Sequence, residues 1–258
     1  MSQPILVEKR GHIALLTLNN PPAHTWTPES LQLLIDIVEE LNADKDNYAL
    51  VLTGGGEKFF SAGADLNQFN HDDKARSFES ATLFGKSFTA LTNYNGVSIA
   101  AINGYAMGGG LEVALACDIR IADAHAQMAL PEAAVGLLPC GLGSQHLSWL
   151  VGEQWAKRMI LLGERLKTDK ALEIGLISEI TESGTVVEKA LELASKVEGQ
   201  SPTSVRVCKE LIMAARSQPL NTNFAPEREE FVKLWDSQDQ KEGVAAFIEK
   251  RKPEWKNA

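Results

Sequence analysis

The chain has 258 residues, 44% of them hydrophobic and 23% charged, with a formal net charge of −9. That is enough chain to bury one large core, or a core plus an extension, and the acidic balance argues against nucleic acid as a general partner. Cys117, Cys140 and Cys208 are odd in number and scattered, so they form neither a disulfide framework nor a metal spacing. No apolar run reaches the roughly 18 residues of a membrane span, and no leader is visible, so a cytoplasmic protein without membrane attachment is expected.

In chain order, Ile5 to Val7 and Ile13 to Leu18 read as strands joined by a turn at Arg10-Gly11. Thr27-Pro28-Glu29 starts a helix, with an N-cap, proline at the first position and an early acid; Leu31, Leu34, Ile35, Val38 and Leu41 then repeat at helical spacing. Tyr48 to Thr53 is a strand ending in three glycines. Residues 72–95 read as a polar loop and a helix with Phe84, Phe88 and Leu91 on one face. Val97 to Ile102 reads as a buried strand and Leu111 to Cys117 as a short apolar helix, with Gly108, Gly109 and Gly110 before it.

Two short strands follow, Asp118 to Ala122 and Gln127 to Leu130. Leu142 to Val151 and a helix from Gly152-Glu153 through Leu162 come next. Thr168-Asp169 reads as the cap of a short helix ending at Gly175, and Leu176 to Ile180 as a strand. Amphipathic helices over 185–197, 201–216, 224–234 and 238–250 complete the chain. Strands and helices alternate, then helices dominate, which predicts an α/β core with a helical appendix. No fixed-period repeat is visible.

Chemistry concentrates where small residues meet acids. Glycines let a backbone approach a ligand closely, and the first amides of a helix lack intrahelical acceptors and favour negative charge. Glu112 sits in the first turn of the helix after the glycines, beside such a site. A tight turn, with Glu112 complementing the helix dipole, explains the same pattern. The stretch from Phe59 to Leu66 is a second place where a backbone amide can meet a ligand, or a plain surface turn. Glu112 and Glu132 both lie in small, apolar, Gly/Pro-rich surroundings, where paired acids can divide acid and base work; spacing alone does not bring them together. The histidines share no metal spacing, and Asp118, Asp123 and His125 read as solvated loop residues before they read as a metal cluster. Nucleotide-binding glycine fingerprints are absent.

Phe60-Ser-Ala-Gly-Ala-Asp-Leu66, the run from Ala101 to Asp118 and Leu130-Pro-Glu-Ala-Ala-Val-Gly-Leu-Leu-Pro139 closely resemble the crotonase superfamily, also called the enoyl-CoA hydratase/isomerase family. The resemblance extends through Thr168 to Ala171, Gly175 to Ile177 and Glu242 to Arg251. It implies an α/β spiral of ββα units over 1–200, with a C-terminal helical trimerisation region over 201–258, as one functional domain. It also implies a homotrimer or a hexamer built as a dimer of trimers.

The implied substrate is an acyl-CoA thioester, with coenzyme A as part of the substrate and no separate cofactor or metal. Ala64 and Gly109 match the oxyanion-hole amides. Ala62 matches a position whose carbonyl meets the adenine, and Ala23, Asp65, Leu66 and Gly108 join the substrate-contacting set. Phe231 and Lys250 match CoA contacts made in part across a subunit boundary. Glu112 and Glu132 match the two catalytic glutamates of enoyl-CoA hydratases, which implies hydration of a 2-enoyl-CoA in fatty-acid or amino-acid catabolism. An enoyl-CoA isomerase, or another CoA-thioester reaction of the family, is the alternative. A non-catalytic RNA-binding member is a third reading, against which both glutamates and the net charge argue.

Two departures stand out. Trp26 replaces a small residue in a loop whose usual basic residue is missing, which implies altered phosphate contacts and a reshaped acyl or pantetheine path. Cys140 and Leu142 stand near the expected acyl path.

Overall fold

In the computed structural model, residues 3–218 and 220–258 are described. A hairpin opens the chain, β1 (Ile5–Arg10) antiparallel to β2 (Ile13–Leu18). Helix α1 (Pro28–Ala43) begins where expected: Thr27 Oγ1 accepts from Ser30 N–H, and Ser30 Oγ accepts from Thr27 N–H. Its buried face includes Leu31, Leu34, Ile37, Val38 and Leu41; Ile35 is only half-buried, because Ile37 points further inward.

The next three turns of chain repeat one plan. β3 (Ala49–Gly54), β4 (Phe59–Ser61) and α2 (Lys74–Thr92) are followed by β5 (Val97–Ile102), β6 (Tyr105–Met107) and α3 (Gly109–Ala116). The third turn is β7 (Ile119–Asp123), β8 (Gln127–Ala129) and a single 3₁₀ turn, Glu132–Val135. In each, the first strand joins a six-stranded sheet of order β1-β2-β3-β5-β7-β10, closed by β10 (Glu179–Thr181), and the second joins a four-stranded sheet of order β4-β6-β8-β9, closed by β9 (Leu166–Lys167). Beyond β1 the large sheet is parallel. The spiral leaves no fixed repeat in the sequence because its turns are unequal: α2 has 19 residues and α3 has eight.

Both faces of the large sheet are covered, which is why its strands read as continuous apolar runs. Leu16, Leu50, Leu52 and Ile102 point into the main core with Phe60, Phe84, Phe88 and Leu111. Their alternating neighbours Leu15, Val51, Ile99 and Ala101 face a second core under α6 (Val186–Ser195).

α4 (Gly143–Leu161) is kinked at Gly152, whose φ is 74°, so the two segments read from the sequence are both present. β9 (Leu166–Lys167) and α5 (Thr168–Glu173) follow. Thr168 does not cap α5. Its hydroxyl donates to Ala124 O at 2.9 Å, tying the helix to the loop after β7, and Lys167 takes the cap position. Strand β10 is confined to Glu179–Thr181, because the Leu176 and Ile177 amides turn back to Ala171 O.

α7 (Pro202–Ala214), α8 (Leu220–Lys233) and α9 (Gln238–Glu249) form the helical end. Lys209 anchors it to the core by donating to Tyr94 O at 2.7 Å and Asp118 Oδ2 at 2.8 Å. Buried Asp239 accepts the amides of Lys256 and Asn257, which folds the tail back on α9. Among the described residues, no helix is long and apolar enough to cross a membrane.

Candidate active site

α3 can start where it does because Gly108 takes φ 53° and ψ −128°, a conformation that side chains avoid. The turn is held by Gly108 N–H donating to Ala129 O at 2.9 Å. Two residues on, a Cβ on Gly110 would lie 2.2 Å from Ser61 O, so only glycine lets α3 press against the end of β4. This contact brings the two small-residue stretches together.

Ala64 is the other half of that junction. Trp26 N–H donates to Gly63 O and Asp65 N–H donates to Trp26 O, so the peptides flanking Ala64 are engaged while its own N–H has no acceptor among the described residues. Gly109, at the first position of α3, likewise has no intrahelical acceptor for its N–H. The two amides are neighbours: a Cβ on Gly109 would stand 3.7 Å from Ala64 N, and one on Gly63 3.1 Å from Gly109 N. Two uncommitted N–H groups therefore face the same space, the arrangement that receives a developing oxyanion.

That space is a cleft of about 460 Å³. Ala62, Ala64, Asp65, Leu66, Gly108, Gly109, Glu112 and Glu132 all line it, with Phe84, Leu138 and Cys140 among its other walls. Glu112, in the first turn of α3, is 2% exposed. Its Oε1 accepts the amides of Gly141 and Gly143, each at 2.8 Å. Burial, and after it the charge of Glu132, push the Glu112 carboxyl up to about 7 against these two bonds. Glu132 opens the 3₁₀ turn after β8, and both of its carboxylate oxygens are buried without a hydrogen-bond partner among the described residues. Burial pushes it up to about 7 as well. A carboxyl near 7 exchanges a proton readily at neutral pH.

Other expected positions lie elsewhere. Ala23 does not line the cleft; its carbonyl accepts the Ala62 amide at 2.9 Å and so supports the rim. Phe231 and Lys250 are not brought to the cleft within this chain. Phe231 is exposed and packs its ring on Trp235, and Lys250 ends α9 in the left-handed conformation. Trp26 does not enter the substrate space. Its ring is buried edge-on against Phe88 beneath Gly109, because the bridge to Ala64 turns the side chain inward.

Of the two residues expected on the acyl path, Cys140 lines the cleft. Leu142, held at φ 73°, faces a separate cavity of about 300 Å³ beside His146 and Arg216. Asp118, Asp123 and His125 separate: Asp118 binds Ser98 and Lys209, Asp123 caps α6, and His125 bonds Ser183 and Glu57 O. Sequence reading assigned no role to Gly141 and Gly143, the donors to Glu112; their only local signal is a Gly-x-Gly ahead of a helix.

Solved structures share this architecture, the crotonase-like spiral. Pseudomonas aeruginosa DspI is 60% identical with a TM-score of 0.96, over 99% of this chain and 97% of that one. An enoyl-CoA hydratase from Bacillus anthracis is 32% identical with a TM-score of 0.94, over 99% and 100%. The short-chain-enoyl-CoA hydratase of Clostridium acetobutylicum is 36% identical across 97% of this chain and 96% of its own. The family described as enoyl-CoA hydratase/isomerase matches residues 8–258, and the chain belongs to that family.

Proposed function

We propose that this protein catalyses the reversible hydration of a 2-trans-enoyl-CoA thioester to the 3-hydroxyacyl-CoA. The observation that carries the reading is the pair of glutamates, both raised to about 7, in one cleft with two uncommitted amides. The thioester oxygen lies at Ala64 and Gly109 N–H. Glu112, fixed by two backbone donors, orients the water and takes its proton as oxygen attacks C3. Electron density moves onto the thioester oxygen, where the two amides stabilise it. Glu132 then delivers a proton to C2. Dehydration reverses these roles, and neither direction calls for a metal or a redox cofactor.

Coenzyme A runs along the rim formed by Ala62, Asp65, Leu66 and Gly108, with Ala23 supporting it. Phe231 and Lys250 complete the CoA site from a neighbouring subunit. A homotrimer, or a hexamer made of two trimers, supplies that neighbour. Exposed Phe231, Val232, Trp235, Phe247 and Ile248 on the C-terminal helices support this assembly, since apolar surface of that extent marks an interface. The reaction is placed in the cytosol.

The deciding experiment follows the absorbance of the conjugated thioester in crotonyl-CoA with the protein and with Glu132→Gln. Rapid loss that the variant abolishes is the expected result. Turnover of a 3-enoyl-CoA that survives Glu112→Gln, without crotonyl-CoA hydration, would instead assign an isomerase.

A further inference from the structure

Besides Asp65, Glu112 and Glu132, the cleft holds an ionisable side chain that hydration leaves unused, the thiol of Cys140. Cys140 is half-buried on the cleft wall that also carries both glutamates, and the amide of the next residue, Gly141, is bonded to Glu112. Glu112, 2% exposed, has its Oε1 on two amides. Neither oxygen of Glu132 has a hydrogen-bond partner among the described residues. A thiol, a carboxylate held by two amides and a second carboxyl able to return a proton therefore line one cavity, beside the amides of Ala64 and Gly109. The other thiols differ: Cys117 is buried with Sγ on Val113 O, and Cys208 is exposed on α7, outside the cleft.

Resting on the hydratase reading, we propose that Cys140 is a covalent capture site for acyl-CoA thioesters that carry a triple bond between C2 and C3. Water in the hydration attacks C3, and the sulfur of Cys140 attacks the same electrophilic carbon. The thiol proton passes to Glu112. The sulfur electron pair forms the S–C3 bond while one π bond of the alkyne opens, and charge moves onto the thioester oxygen at the Ala64 and Gly109 amides. C2 then takes a proton from Glu132. No group leaves, so the protein gains the mass of the whole thioester.

The product keeps a C2=C3 double bond conjugated with the carbonyl, which retains the adduct. A saturated adduct from an ordinary enoyl thioester lacks this and reverses by elimination. Burial and the two carboxylates push the Cys140 thiol up to about 12. The residue is therefore inert to reagents that need a preformed thiolate, and capture depends on proton removal inside the cleft.

The test uses the full-length protein. Hydration of crotonyl-CoA is measured first; its absence would refute the hydratase reading, and with it the basis of the proposal. The protein is then incubated with but-2-ynoyl-CoA and its intact mass and cysteine peptides are analysed. One adduct per chain is expected on Cys140, absent from Cys140→Ser and slowed at least about tenfold by Glu112→Gln. Iodoacetamide is expected to label Cys208 ahead of Cys140. A hydration-competent protein that gains no mass, or gains it on Cys208 or a glutamate, overturns the capture site and leaves the hydratase reading standing. Peptide mapping of the unsubstituted protein decides the matter even where Cys140→Ser does not fold.

Discussion

Glu112 and Glu132 reach nearly the same protonation balance by different routes. Glu112 is deeply buried on a helix and held by two amides, so burial must outweigh bonds that favour its charged form. Glu132 sits on a short turn whose following residues are exposed, and no hydrogen bond from the described residues restrains its carboxylate. An anchored carboxylate has a fixed direction, which suits aiming a water. An unbonded one gains and loses a proton without breaking anything, which suits delivery to carbon. Similar acidity therefore does not imply interchangeable roles.

The largest expected effect comes from removing either acid. Glu112→Gln and Glu132→Gln should each lower kcat for crotonyl-CoA by about 10²- to 10⁴-fold, the range of general acid–base catalysis. Full hydration by Glu112→Gln would show that the anchored carboxylate does not aim the water. Gly143→Ala separates anchoring from charge: its Cβ would lie 2.7 Å from Glu112 Oε1. Displacement of that carboxylate should cost about 10- to 100-fold in kcat, with Glu112 still present. Wild-type kcat in Gly143→Ala would break the link between anchoring and role.

pH sharpens the comparison further. The proposed mechanism needs one carboxyl ionised and the other protonated, so kcat/KM should trace a bell with both limbs close to pH 7, and each single Gln variant should lose one limb. Stability carries its own signature. Both folded-state values lie above the ordinary 4.5, so between pH 4.5 and about 7 the folded protein holds more protons than the unfolded chain. Stability therefore falls as pH rises through that window and levels off above it. Glu112 accounts for at most about 3 kcal/mol of the fall, and urea unfolding of Glu112→Gln from pH 5 to 8 should show a flatter slope.

The smallest effect marks the far end of the scale. Thr27→Ala removes a cap that touches neither glutamate and should cost about 1 kcal/mol in urea unfolding.

Local signals located most elements because those signals act locally. Thr27 and Pro28 start α1, Ser201 and Pro202 start α7, and Phe84, Phe88 and Leu91 share the buried face of α2. The misreadings come from partners distant in sequence. Thr168 is a good cap residue that Ala124 O claims, and Leu176 and Ile177 are strand-like residues whose amides close α5. Trp26 and Leu142 likewise look like substrate-path residues, until the bridge to Ala64 and the left-handed turn at Leu142 direct both elsewhere.

By itself, the sequence determined the family and most of the strands and helices, and it singled out Glu112, Glu132, Ala64 and Gly109, because those are properties of residue type and short spacing. Only the tertiary structure decided that Glu112 and Glu132 share a cleft, that Gly141 and Gly143 hold one while no described residue holds the other, and that Cys140 lines the same cleft. Each of those facts depends on where the ends of β4, β6 and α4 meet, and on how much water their packing excludes from the carboxylates.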